Sequence, residues 1–192
     1  RGLGDVYKRQ MTGNMCCGFY QPSQDLANAF QTSNGLPLLD TYNQSDIAND
    51  AGINSDEAFT PHTGPLDPRI DFTIGRRGIE YNGYGPFTGK ENIRASFSDI
   101  SGPYAAKKSM YYAGDDTNKG TGGWGQQRSG INYHIIRYAD VLLMAAEAAV
   151  ESGSLETARG YVNQVRQRAI DGPRADSSPN YSISTYGSAW TD

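Results

Sequence analysis

The strongest alternation of hydrophobic and polar positions lies between Arg137 and Ile170. Ile136, Ala139, Val141, Leu142, Leu143, Ala145, Ala146, Ala148, Ala149 and Val150 wrap most of the way round a helix predicted from Ile135 to Glu151. A helix that is apolar nearly all round must be buried on several sides. Ser152-Gly153-Ser154 breaks it. Ser154 fits an N-cap and Glu156 the first turn of a second helix, predicted from Leu155 to Ile170, because a side-chain oxygen and a negative charge both favour a helix start. Leu155, Ala158, Val162, Val165 and Ala169 form its apolar stripe. Arg166 and Arg168 fall in its last turn, where positive charge is favoured, and Gly172-Pro173 stops it. The pair is an antiparallel hairpin of about 34 residues, the length of a tetratricopeptide unit, and repeats of this kind bury their core by stacking about three or more units. No second copy is present in the sequence. The hairpin is therefore expected to pack against partners largely missing from the chain, which reads as a fragment, marginal or partly molten when alone.

Upstream the pattern is weaker. Pro22 to Gln31 predicts a short helix with Leu26, Ala29 and Phe30 on one face, ending at the C-cap signal Asn34-Gly35. Residues 36–66 are dense in turn formers and predict a long ordered loop with a helical turn near Ser55 to Phe59, of the length that tends to carry function. Ile70, Phe72 and Ile74 alternate with Arg69, Asp71 and Thr73, which predicts a short half-buried strand. Tyr81 to Phe87 is an aromatic loop, and Gly120 to Gly125 is a glycine-rich one around Trp124. The predicted fold class is mainly α: a tetratricopeptide-like hairpin beside a long loop-rich region with short strands.

Composition narrows the function. The 192 residues carry a net charge of -4 with no run of like charge, whereas phosphate contacts need clustered Lys and Arg. The 13 tyrosines, 23 glycines and 9 prolines fit long loops bearing aromatic side chains, a surface suited to sugars or peptides. No run of about 18 apolar residues predicts a membrane-spanning helix, and Arg1 to Gln10 has no apolar core of a signal peptide. Cys16 and Cys17 are adjacent, a spacing that resists a disulfide, and they read as thiols without a role. His62 and His134 stand far apart with no ligand motif beside either. Asp67 and Asp71 are the candidates for a glycosidase pair, but as flanks of a strand they are expected in an exposed, polar setting that raises neither pKa. No nucleophile elbow appears, and Gly120 to Gly125 lacks the Lys-Ser/Thr of a phosphate loop. The expectation is no catalytic residue, no metal and no cofactor: a binding protein and not an enzyme.

Arg137-Tyr138-Ala139-Asp140-Val141-Leu142-Leu143-Met144-Ala145-Ala146-Glu147-Ala148 resembles the hallmark helix of the SusD/RagB family. Ala158, Asn163, Val165-Arg166 and Arg168-Ala169 are similar to that family's next helix. Pro22 to Phe30, Asp67-Pro68-Arg69 and Lys107-Lys108 match its landmarks in the usual order. The resemblance runs from about Gly18 to Ala169, and the hallmark helix is its specific part. It implies an incomplete SusD-like α-helical fold. It also implies a lipoprotein on the outer face of an outer membrane, seated on a SusC-like TonB-dependent transporter and delivering oligosaccharides or peptides to it. The membrane contact would run only through an N-terminal lipid anchor, of which this sequence shows no counterpart. On this reading residues 1–10 are a non-native leader and 11–192 a partial SusD/RagB-like domain. Within it, 11–134 form the loop-rich ligand side, 135–171 the helical hairpin and 172–192 a truncated tail.

Sugar binding needs flat aromatic faces with polar side chains at the rim. Trp124 is the leading candidate, Tyr81, Asn82 and Tyr84 form a second cluster, and Tyr111 with Tyr112 a third. Against this stands the plainer reading, in which each ring packs its own loop against the helices. Arg137 and Asp140 are spaced to pair along one helix face and read as structural. A helical-repeat adaptor, or a peptide-uptake member of the same fold, is the alternative. Rings buried against the hairpin would favour it, and rings facing solvent along one groove would favour sugar capture.

Overall fold

The computed structural model describes residues 21–89, 93, 102–108, 110–118, 130–132 and 134–191. Among the described residues the regular structure is mainly helical, with short strand pairs and no closed sheet. Helix α1 is brief, Gln24–Asn28, and Ser23 caps it by accepting the Leu26 N–H at 3.0 Å. It buries Ala27 and Asn28 and leaves Leu26 exposed, so the face predicted from Leu26 and Ala29 is not the buried one. The reason is polar. Asn28 Oδ1 accepts the Ile47 N–H at 2.9 Å, and its Nδ2 reaches Asn43 and Asp46. Gln24 donates to the Ile47 carbonyl and Gln31 to those of Tyr42 and Ser45. One side of α1 thus supplies the hydrogen bonds that a loop without regular structure must find elsewhere.

Asn34-Gly35 does not cap this helix. Strands β1 (Thr32–Ser33) and β2 (Leu36–Pro37) pair antiparallel, Ser33 opposite Leu36, around a two-residue turn. Asn34 and Gly35 both have positive φ, 51° and 77°, the conformation of a primed hairpin turn, for which Asn-Gly is the preferred sequence. The strand expected over residues 69–74 is also absent. Asp67 accepts the Arg69 N–H, Pro68 fixes the first position, and Pro68–Phe72 winds as a tight helical turn. Asp71 is buried directly beside Ile70 while Phe72 is only half-buried, which fits winding and not alternation. Only Ile74–Gly75 is extended, as β3, paired antiparallel with β4, Ala105–Ala106.

The hairpin follows the expectation closely. Helix α2 spans Tyr138–Glu151 and α3 spans Leu155–Asp171. The α2 start falls later than Ile135 because Asp140 reaches back to the Arg137 N–H at 2.8 Å and caps there. Ala146, Ala149 and Ala158 form the seam, with Tyr161, Val162 and Trp190 packed against it. Small side chains allow the close approach. The rest of α2 is not covered: Tyr138, Val141, Leu143, Met144 and Val150 are all exposed. Two further clusters stabilise the loop-rich part. One gathers Ala27, Ile47, Leu66, Ile70, Ile74 and Tyr104, and the other Tyr81, Phe87, Ile93, Ala105 and Met110.

The segment after α3 lies across both parts. The Leu66 N–H donates to the Asn180 carbonyl and the Ser182 N–H to that of Leu66, at 2.9 and 2.8 Å. Further on, the Ser184 N–H donates to the Gly35 carbonyl, and the Asn163 side chain of α3 bonds both N–H and C=O of Tyr186. A side chain at Gly35 would place its Cβ 2.7 Å from the Ser184 nitrogen, so the hairpin turn needs glycine for contact as well as for φ.

Candidate functional site

Two turns stand side by side on the loop-rich part. In the first, the Tyr81 N–H donates to the Gly85 carbonyl and the Tyr84 N–H to that of Tyr81, at 3.0 and 2.9 Å. Asn82, Gly83 and Gly85 all take positive φ, which is why glycine recurs here. The second turn runs through Tyr111, Tyr112 and Ala113. The Ala113 N–H donates to the Asn82 carbonyl at 2.8 Å, and a Cβ on Gly83 would lie 3.2 Å from that of Ala113. Two clusters that are 27 residues apart in the sequence, Asn82 and its neighbours and Tyr111 with Tyr112, thereby become one.

Within it the side chains divide by burial. Tyr81 is 2% exposed, stacks at a tilt on Phe87 and donates its hydroxyl to the Ala106 carbonyl at 2.7 Å. Burial pushes that phenol well above its usual range, and the Lys107 ammonium stands over its ring at 5.5 Å. Tyr111 and Asn82 are buried too. These three form the support of the site. Tyr84 and Tyr112, 37% and 52% exposed, present their rings to solvent. Just after Tyr112, the Asp115 N–H donates to the Tyr112 carbonyl at 3.1 Å, and the Asp115 carboxylate accepts from Thr117 and Asn118, including the Asn118 side-chain amide at 2.7 Å. Trp124 lies outside the described residues.

Beneath the first turn sits a buried polar hub that the sequence reading does not anticipate. Asp71, fully buried, takes a bidentate pair from Arg76 at 2.7 and 2.8 Å and a 2.7 Å bond from the Tyr181 hydroxyl. Lys107, 6% exposed, donates to the Glu80 carbonyl at 2.8 Å. Burial lowers its pKa, and the carboxylates of Asp71, Glu80 and Asp176 oppose that effect. The expectation that Asp67 and Asp71 are exposed is corrected: both are buried, because the helical turn at Pro68 rolls them inward. Asp67 is held bidentate by Arg69 at 2.9 and 2.6 Å. Two carboxylates gripped this way have no position from which to protonate a substrate. His62 accepts the Ala48 N–H through Nδ1, and His134 is exposed elsewhere. Among the described residues no group of His, Cys, Asp or Glu is placed to hold a metal ion, and no helix is long and apolar enough to cross a membrane.

Arg166 is the residue that sequence reasoning misplaced. Expected as a charge on the last turn of α3, it is buried and bonds the Ser184 and Gly35 carbonyls, both at 2.6 Å. Those acceptors come from the tail and from the β1–β2 turn, so no local signal marks them. Arg137 and Asp140 do approach across the start of α2, at 3.8 Å.

The family model described as the SusD family covers residues 2–188, nearly the whole chain. No curated protein matches it.

Proposed function

The chain belongs to the SusD family, whose members are nutrient-uptake binding proteins of the outer cell surface, and on that premise we propose that it captures oligosaccharides. On this reading it passes them to a SusC-like TonB-dependent transporter, is held at the outer membrane by a lipid anchor, and performs no chemistry on its ligand. The observation that carries the sugar reading is the pair of exposed rings, Tyr84 and Tyr112, on adjacent turns with rigid support beneath them. Tyrosine offers an apolar face to sugar C–H groups and a hydroxyl to their oxygens, at low cost in side-chain entropy. Trp124 belongs to the same proposal from its sequence context alone.

The test is affinity electrophoresis through gels containing soluble polysaccharides, after a glycan array has chosen them. Tyr84→Ala with Tyr112→Ala should weaken binding about tenfold or more, the factor that corresponds to about 1.4 kcal/mol. Full retention by that double variant together with loss by Trp124→Ala would move the site to the glycine-rich loop. A chain that binds no glycan favours the second reading, a peptide-uptake or adaptor protein. The exposed apolar side of α2, with Tyr138, Val141 and Met144, is the feature that favours a protein partner.

A further inference from the structure

Glu80 is the piece on which the Tyr84 turn rests. Its carboxylate Oε1 accepts the N–H groups of Gly83 at 2.7 Å and Gly85 at 3.3 Å, the two glycines that flank Tyr84. Those glycines have positive φ and the widest backbone freedom of any residue, so the Glu80 carboxylate restrains the part of the turn that is freest to move. The Glu80 backbone is fixed from both ends. Lys107 Nζ donates to its carbonyl at 2.8 Å, and its own N–H donates to Asp176 Oδ2 at 2.8 Å. Asp176 is 96 residues further along the chain, on the segment that leaves the hairpin. It is itself oriented, because Oδ1 accepts the Ser178 N–H at 2.8 Å.

We propose that Asp176 is a positioning residue for the proposed ligand turn, fixing Tyr84 through Glu80. The inference rests on the assignment of Tyr84 to the ligand face. A carboxylate bonded to one amide anchors a backbone strongly, since a hydrogen bond to a charged acceptor is about twice as strong as a neutral one. The neighbouring ties of the same segment, Leu66 to Asn180 and Ser182 to Leu66, do not involve Asp176. Loss of Asp176 therefore loosens the turn and leaves the segment attached.

The test is amide hydrogen exchange on the 192-residue chain, comparing Asp176→Ala and Asp176→Asn with the parent. In the alanine variant the Gly83 and Gly85 amides should exchange about tenfold faster, the scale of one lost bond to a charged group. The Leu66 and Ser182 amides should be unchanged. Asparagine keeps an acceptor oxygen and should restore most of the protection, whereas Asp176→Leu keeps a side chain of similar size without an acceptor and should not, an outcome that a purely steric role would reverse. Unchanged exchange at Gly83 and Gly85 overturns the proposal. So does equal acceleration at Leu66 and Ser182, which would mean that the whole segment peels away. Exchange needs no ligand, so absence of glycan binding would count against the reading of the tyrosines while exchange alone still decides the role of Asp176.

Discussion

Among the described residues, the hydrogen bonds of the Arg166 side chain reach no carboxylate. Its guanidinium points at two backbone carbonyls, Ser184 and Gly35, and lies 5.3 Å from the centre of the Tyr186 ring. Burial lowers its pKa, and Tyr186 and Asp67 oppose the effect. The planar fork suits this arrangement because it meets two acceptors at once while its face rests on an aromatic ring. Arg166→Met keeps the apolar stem, takes the Arg166 donor from the Ser184 carbonyl and leaves the Gly35 carbonyl with the Ser184 N–H. The expected loss is about 1–3 kcal/mol, the cost of one orphaned buried acceptor and one weakened one, less some relief from burying no charge. Arg166→Lys should recover little, since one ammonium cannot reproduce the fork. Urea unfolding midpoints of the two variants check this, and a lysine variant as stable as the parent would sink it. The same residue marks a limit of sequence reading. Spacing places it on α3, but its acceptors come from two segments that are distant in the chain, and nothing local announces them.

At the scale of elements, what was legible is what has a period. The hairpin of α2 and α3 follows from its apolar spacing and from Ser152-Gly153-Ser154, and both boundaries agree within a few residues. The short elements were legible only as turn chemistry. Asn34-Gly35 is a signal for a helix end and for a hairpin alike, and the pairing of Ser33 with Leu36 decides between them. Ile70, Phe72 and Ile74 fit a period of two, yet Asp67-Pro68 imposes a helical turn before any strand can start. Tyr81 and Tyr84 look alike in sequence, and which one is support and which one is surface follows from a hydroxyl that finds the Ala106 carbonyl. The apolar girth of α2 was legible too, and it divides into two kinds of position. Leu142 faces the chain's own core at 8% exposure, while Met144 stands 53% exposed. Leu142→Ala should cost about 2–3 kcal/mol, as buried leucine truncations do, and Met144→Ala should stay within about 0.5 kcal/mol, as surface changes do. Chemical denaturation of both variants distinguishes them. A comparable loss at Met144 would mean that its side of α2 is covered.

Across the whole molecule, buried phenols tie separate parts to one pH limit. Tyr104 sits in the cluster around Ile70, and its pKa is pushed up to about 12, chiefly by burial, with the bond to Gln24 acting the other way. Tyr81, in the other loop-side cluster, is raised by burial. Tyr181, on the segment that crosses from the hairpin, is raised by burial and by the Asp71 carboxylate it bonds. Each folded pKa lies above the unfolded value of about 10, so the folded state binds these protons more tightly than the unfolded one. Their contribution is complete below pH 10 and is lost as pH climbs toward the folded values. Deprotonating Tyr181 would set a phenolate 2.7 Å from a carboxylate, so its ionisation and the detachment of that segment are one event. The expected alkaline titration has two stages. One part of the phenolate signal rises near the ordinary tyrosine value of about 10 without a change in circular dichroism, and a second part appears only as the dichroism collapses, near the value of about 12 to which Tyr104 is pushed. Tyr181→Phe should bring that collapse to lower pH, because it removes the bond to Asp71 while Tyr81 and Tyr104 remain to drive the transition. A single phenolate wave near pH 10 with the dichroism intact would show that the three rings reach solvent freely, and the packing that joins the tail to the loop-rich part would have to be abandoned.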